Sequence, residues 1–93
     1  MRTWEDFKKE AKEVNEVSRK DIEEIEMLTT IINAIIERRN ELGFTQRELA
    51  DMCGLPQSSI ARIEACTVKP KVETIIKIMI PLGLTLSVNY VQI

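Results

Sequence analysis

The 93-residue sequence predicts an all-α fold of about five helices that ends in one β-strand. Apolar residues recur at three- and four-residue steps through most of the chain, as they do in amphipathic helices. Hydroxyl caps and glycines mark where those helices begin and end, and the apolar period changes to two after Gly83. With 44% apolar residues the composition is that of a globular protein, so we expect one domain with an appended arm.

The composition excludes several kinds of catalytic site. The chain has two cysteines and no histidine, so it lacks the ligands of an ordinary zinc site and the Cys–His or Ser–His pairs of nucleophilic catalysis. It also lacks a glycine-rich phosphate loop. We therefore expect no metal, no cofactor and no enzymatic activity.

The charge and hydropathy patterns limit the partners. No apolar run reaches the ~18 residues that span a bilayer, and the charged amino terminus is unlike a signal peptide, so we expect a cytoplasmic protein without a membrane partner. Residues 1–28 hold nine acidic and six basic side chains, against six and seven in residues 29–93. A chain with net charge −2 has little general attraction to nucleic acid, so DNA binding would depend on a local patch.

The first predicted helix starts after Thr3, a possible cap, and ends near Asn15. Its apolar stripe could pack on the chain's own domain or in a partner's groove. Residues 1–28 are accordingly an N-terminal helical arm and a candidate partner-binding region. The stripe consists of Trp4, Phe7, Ala11 and Val14.

The second helix is predicted over about residues 19–42, capped by Ser18 and stopped by Gly43. The third begins with Thr45, which forms a T-x-x-E capping box with Glu48, and ends at Gly54. Its inward side chains are predicted to be Leu49, Ala50 and Cys53.

The fourth helix is predicted to start at Pro56, with Ile60 and Ile63 in the core, and to break before Pro70. A fifth helix then runs toward Gly83, and Pro81 should distort its final turn. Its apolar positions are Val72, Ile75, Ile76, Met79 and Ile80.

Residues 84–93 alternate apolar and polar side chains, which predicts a strand. One strand in a helical chain needs a second strand for its backbone hydrogen bonds, and a second copy of the chain could supply it. A frayed tail is the alternative. The residues assigned to dimerisation are Leu84, Leu86, Val88 and Tyr90.

The third and fourth helices, joined through Gly54, match a helix-turn-helix. If Ile60 and Ile63 face inward, a set of polar side chains faces outward. Their glutamine amide suits adenine, their guanidinium suits guanine, and their hydroxyls suit either bases or phosphates. These residues are Gln57, Ser58, Ser59 and Arg62.

Four further residues are candidates for contacts with the DNA backbone. Gln46 and Arg47 open the third helix, where the helix dipole favours a phosphate. Lys69 and Lys71 lie in the loop after the fourth helix. Contacts of this kind position a protein on DNA without specifying sequence.

The stretch "TQRELADMCGLPQSSIARIE" resembles the helix-turn-helix of phage repressors and Cro proteins, often called the Xre family. The resemblance covers roughly Ile31 to Leu84 and implies a repressor-like bundle, with a DNA-binding domain over residues 29–83. It implies that Gln46 touches phosphate, that Gln57 opens the recognition helix, and that Ser58 and Arg62 face bases.

A narrower resemblance joins "IEEIEMLTTIINAIIERRNELGFTQRELA", "IARIE" and "KPKVETIIKIMIPLGLTLSV" to antitoxins of the HigA type. It implies double-stranded operator DNA and a RelE-like (HigB-type) ribonuclease toxin as partners, and repression of their shared operon. A stand-alone repressor and an adaptor that no longer binds DNA are the alternatives. The sequence departs from the family at Cys66, where glycine is usual, and at Pro81, where a helix former is usual.

Overall fold

The computed structural model describes residues 19–90. The chain divides into two compact units, Met1–Ile31 and Ile32–Ile93. Within residues 19–90, no helix combines the length and apolarity of a membrane span. The predicted helix with Trp4, Phe7, Ala11 and Val14 lies outside the described residues. The helices within them are α1 (Arg19–Glu41), α2 (Gln46–Cys53), α3 (Gln57–Glu64) and α4 (Val72–Met79).

In the first unit, the described residues form the beginning of α1. Asp21 lies in the first turn, where a negative charge complements the helix dipole. Arg19 Nε lies 2.9 Å from Glu23 Oε1, in an exposed i,i+4 ion pair that contributes little stability. The hydroxyls of Thr29 and Thr30 donate to carbonyls one turn back, so neither residue breaks the helix.

In the second unit, α2 packs against α3 and α4 around an apolar core. Fully burying one large apolar side chain is worth about 1.5–3 kcal/mol, so this core is the main source of stability. The inward positions predicted for α2 and α3 are confirmed. The buried side chains are Ile32, Ile35, Leu49, Ala50, Cys53, Ile60, Ile63, Ile75, Ile78, Met79 and Leu82.

The ends of α2 follow the predicted signals. Thr45 Oγ1 accepts from the Glu48 N–H at 3.0 Å, and the Thr45 N–H donates to Glu48 Oε1 at 3.0 Å. This reciprocal pair is the capping box. Gly54 takes a left-handed φ of 69°, which lets the Leu55 N–H reach the Ala50 carbonyl at 2.9 Å. The corner between α2 and α3 is therefore set by local chemistry.

Helix α3 ends in the same kind of corner but without glycine. Cys66 has a φ of 59°, and its N–H donates to the Ile63 carbonyl at 3.0 Å. The Thr67 N–H reaches the Arg62 carbonyl at 3.1 Å. These two bonds form a Schellman motif, whose left-handed residue is usually glycine. The cysteine keeps the turn that glycine would make and holds the strain of a side chain in that conformation.

We expect Cys66→Gly to raise the free energy of unfolding by roughly 0.5–1 kcal/mol. Relief of left-handed strain is worth about 1–2 kcal/mol, and the extra freedom of glycine in the unfolded chain takes back about half of it. Urea unfolding monitored by circular dichroism measures the change. Cys66→Ala keeps a Cβ and should gain nothing. An equal gain from alanine would contradict the strain argument.

The predicted apolar stripe of α4 is only partly buried. Val72, Ile76 and Ile80 are 65%, 43% and 69% exposed, whereas Ile78 and Leu82 are buried. The polar residues Glu73, Thr74 and Lys77 share one side of the helix, and the apolar arc opposite them is wider than the face that packs on the core. Periodicity alone therefore does not select which part of that arc is buried. It ends at Met79, before Pro81, as the proline suggested.

Arg38 closes the turn that follows α4. Its Nε donates to the Leu82 carbonyl at 2.9 Å, and its Nη1 contacts Glu41 Oε2 at 3.2 Å. The guanidinium thus provides a hydrogen-bond donor for a carbonyl of the turn, outside the helix. This contact joins the end of α1 to the turn after α4.

The predicted carboxyl-terminal strand is not present within residues 84–90, which form neither helix nor strand. A single extended segment has no neighbouring strand to satisfy its backbone groups, so one chain alone cannot build a ladder. The side chains of Val88 and Tyr90 are fully exposed. Residues 91–93 lie outside the described residues, and the dimer pairing of Leu84, Leu86, Val88 and Tyr90 stays a prediction.

Candidate nucleic-acid interface

Helix α3 presents one apolar and one polar face. Ile60 and Ile63 are 1% and 4% exposed and hold the helix on the core. Gln57, Ser58 and Arg62 are exposed on the other side. The structure thus gives these three side chains the outward placement that the sequence predicts, and their base contacts stay a prediction.

Ser59 differs from the other candidates because it is half-buried. It borders an open groove of about 210 Å³ beside α3. Arg62 borders the same groove, so the aliphatic part of its side chain lies beside apolar residues. The full lining consists of Leu55, Ser59, Arg62, Ile63, Val68, Pro70 and Thr74.

The candidate phosphate contacts lie at the start of α2 and in the loop after α3. Arg47 is exposed in the first turn of α2, and Lys69 and Lys71 are exposed in the loop between α3 and α4. Gln46 is half-buried at the start of α2. Gln57 Nε2 donates to Gln46 Oε1 at 3.1 Å, which brings the first residues of α2 and α3 together.

Beneath these glutamines lies an ion pair that the sequence did not reveal. Arg39 on α1 meets Glu64 on α3 through two bonds of 2.8 Å, Nε to Oε2 and Nη2 to Oε1. The side chains are only 13% and 6% exposed. Arg39 Nη1 also donates to the Phe44 carbonyl at 2.9 Å. The hydrogen bond to Glu64 raises the pKa of Arg39 above its already high ordinary value, so the guanidinium stays charged.

The ion pair and the glutamines form one hydrogen-bonded chain. Gln46 Nε2 donates to Glu64 Oε1 at 3.1 Å, and Gln46 Oε1 accepts from Gln57. Side chains from α1, α2 and α3 therefore meet in one network. One signal could have found the ion pair: Arg39 continues the stripe of Ile32 and Ile35, and Glu64 lies one turn after Ile60. A charged residue at a position where helical spacing predicts a buried apolar side chain indicates a buried ion pair, because buried charges are almost always paired.

The two free cysteines are expected to react differently with a thiol reagent. Cys66 is exposed, whereas Cys53 is buried, and burial raises the pKa of the Cys53 thiol above its ordinary value of 9.0. We therefore expect one fast-reacting thiol in the folded protein and two in denaturant, counted by mass spectrometry after alkylation. Cys66→Ser should abolish the fast phase. Two fast thiols in the folded protein would contradict this assignment.

The same pKa shift predicts a pH dependence of stability. The folded state holds the Cys53 proton more tightly than the unfolded state, so this contribution is complete below the ordinary pKa. It should be lost as the pH rises through the higher folded value.

Comparisons with known proteins agree with this geometry. The family model described as helix-turn-helix matches residues 35–89. An uncharacterized HTH-type transcriptional regulator of Haemophilus influenzae is 33% identical over 85 residues, which cover 91% of this chain and 82% of that protein. A solved structure described as a toxin–antitoxin module from Streptococcus pneumoniae has a TM-score of 0.69 at 33% identity, covering 99% of this chain and 96% of that one. The chain therefore belongs to the helix-turn-helix family, whose members are DNA-binding transcriptional regulators.

Proposed function

We propose that this protein is a HigA-type antitoxin that binds operator DNA through α3 and represses the operon it shares with its toxin. The exposed polar face of α3 carries the proposal. Gln57, Ser58 and Arg62 stand on the first two turns of a helix behind a left-handed corner, the arrangement with which a recognition helix enters the major groove. Ser59 contributes from the edge of this face.

Contacts between side chains and the DNA phosphates hold the recognition helix in place on the duplex. The residues proposed for these contacts are Gln46 and Arg47 at the start of α2 and Lys69 and Lys71 in the loop after α3. Few basic groups are involved, so the affinity should fall only moderately as salt rises. Because phosphate contacts do not specify sequence, sequence discrimination must come from α3.

We expect Arg62→Ala to weaken binding to the specific operator by about 1–3 kcal/mol, because arginine forms a forked pair of bonds to guanine. The loss should fall mainly on one base pair. Gel-shift titrations against operators that differ at single positions measure this, with the operator selected from the region upstream of the gene.

Lys71→Ala is the matched control for a contact with the DNA backbone. It should weaken binding by similar factors on every operator and reduce the salt dependence. If Arg62→Ala also causes a uniform loss, Arg62 contacts phosphate and not a base.

The toxin partner is proposed from two observations. A solved structure that this chain resembles is described as a toxin–antitoxin module, and residues 1–28 carry a net charge of −3. An acidic arm complements a basic ribonuclease of the RelE-like class. The apolar stripe of Trp4, Phe7, Ala11 and Val14 is proposed to fill a groove on that toxin.

Co-expression with a neighbouring toxin gene, followed by affinity purification, tests this partner. We expect co-purification and relief of growth arrest, both lost with Trp4→Asp. Lys9→Ala, a change at a polar position of the same segment, should retain both. If no toxin gene adjoins this one in the genome and the chain still represses its own promoter, the stand-alone repressor is the better description.

We also propose a homodimer formed through α4 and the residues after it. Val72, Ile76 and Ile80 expose one apolar side of α4. An apolar groove of about 310 Å³ continues from it along the following segment. A second copy would cover this surface, supply a pairing partner to residues 84–91, and place two recognition helices about 34 Å apart. The groove is lined by Ile76, Met79, Ile80, Leu84, Thr85 and Leu86.

Sedimentation equilibrium tests the dimer. Ile80→Glu should shift the protein to a monomer and weaken operator binding, because two linked modules gain affinity through effective concentration. Val88→Glu tests the tail by the same measurement. A wild-type monomer at all concentrations used for DNA binding would refute the dimer.

A further inference from the structure

The orientation of the Gln46 amide is fixed by charge. The Glu64 carboxylate, paired with Arg39 through both oxygens, can only accept hydrogen bonds. Its Oε1 lies 3.1 Å from Gln46 Nε2. An inverted amide would set the Gln46 carbonyl oxygen against a carboxylate oxygen. Gln46 must therefore direct its nitrogen toward Glu64 and its oxygen toward α3.

This orientation passes on to Gln57. Gln46 Oε1 accepts from Gln57 Nε2 at 3.1 Å, and an inverted Gln57 would oppose two carbonyl oxygens. One N–H of Gln57 is thus committed within the protein. The exposed amide keeps one N–H donor and the acceptor Oε1 for a ligand.

One donor and one acceptor match adenine and not guanine. In the major groove adenine presents the N7 acceptor and the N6 donor, whereas guanine presents two acceptors, N7 and O6. A free glutamine amide can turn both of its N–H groups toward guanine. Gln57 has one of them occupied, so its oxygen would face guanine O6 without a hydrogen bond.

We propose that Glu64, acting through Gln46, makes Gln57 select adenine over guanine at one operator position. Glu64 is a positioning residue here, because it lies beneath the glutamines at 6% exposure. The inference rests on the proposed contact between Gln57 and a base. It assigns to the Arg39–Glu64 pair a role in specificity in addition to its role in folding.

The test compares dissociation constants for operators that differ only by adenine or guanine at single positions. The position contacted by Gln57 is the one where Gln57→Ala removes the base preference. There, Gln46→Met and Glu64→Gln should each lower the preference for adenine, the Kd for guanine divided by the Kd for adenine, about ten-fold, from the loss of one oriented pair of bonds. The ratio at the position contacted by Arg62 should not change. Gln46→Met leaves the ion pair intact and carries the test if Glu64→Gln does not fold.

A rescue variant separates orientation from general damage. Combining Gln46→Glu with Glu64→Gln moves the carboxylate to position 46, where it again accepts from Gln57 Nε2. The adenine preference should return toward that of the unmodified protein, while affinity for every operator falls because the carboxylate lies near phosphate. A merely structural disturbance would lower affinity uniformly and give no such recovery.

Two results would overturn the inference, and they are distinguishable. If Gln57→Ala leaves all base preferences unchanged, Gln57 does not contact a base, and the proposed interface and this inference are both wrong. If Gln57→Ala removes the preference but Gln46→Met and Glu64→Gln retain it, base contact by Gln57 stands and the control by Glu64 is refuted.

Discussion

Glu64→Ala is expected to reduce the free energy of unfolding by about 3–5 kcal/mol. The change leaves the Arg39 guanidinium, 13% exposed, with the Phe44 carbonyl but without its carboxylate. Gln46 loses its acceptor at the same time. Domains of this kind are stable by about 5–15 kcal/mol in total, so a large share would be lost. Urea unfolding at one fixed protein concentration measures the change.

Glu41→Ala is the matched control, because Glu41 also pairs with an arginine of α1. Its bond to Arg38 is 3.2 Å, and the two side chains are 63% and 39% exposed. Solvent screens such a pair, so its loss should cost less than about 1 kcal/mol. Equal losses from Glu64→Ala and Glu41→Ala would show that burial of the ion pair is not what matters.

A double substitution distinguishes the value of the pair from the cost of breaking it. Arg39→Met combined with Glu64→Met replaces both charges by flexible apolar side chains. The double variant should be less destabilised than Glu64→Ala, because no unpaired charge remains buried. If the costs of Arg39→Met and Glu64→Met, each measured alone, simply add up to the cost of the double variant, the two residues do not interact as the 2.8 Å bonds indicate.

Ile60→Ala is expected to cost about 2–5 kcal/mol, the range for truncating a large buried aliphatic side chain. Ile60 is 1% exposed and, with Ile63, fixes the rotation of α3 about its axis. Operator binding should therefore fall together with stability, although Ile60 faces away from DNA. Thermal unfolding and gel shifts at two temperatures would measure both effects.

Ile25→Ala serves as the control for Ile60→Ala, because it removes the same atoms from a helical isoleucine that is 43% exposed. The expected cost is about 1 kcal/mol or less, since much of that side chain already contacts water. DNA binding should persist. A larger effect from Ile25 than from Ile60 would contradict the placement of the core.

The local boundaries of the helix-turn-helix could be predicted without a structure. The signals that set these boundaries affect only residues a few positions away. The structure has the predicted capping box of Thr45 and Glu48, the predicted helix end at Gly54 and the predicted helix start at Pro56. The inward direction of Ile60 and Ile63 followed from spacing alone. Spacing identified the apolar arc of α4 but not the part of it that is buried, because the arc is wider than the packed face. Only packing leaves Val72, Ile76 and Ile80 exposed.

Amino-acid order thus established the four described helices, the corner at Gly54 and the outward face of α3, because these depend on contacts between near neighbours along the chain. Tertiary structure decided the Arg39–Glu64 pair, the orientation of Gln46 and Gln57, and the exposed side of α4. These features join residues between 11 and 25 positions apart, or select the buried part of a wide apolar arc. Only the packed arrangement of helices brings such groups within hydrogen-bonding distance.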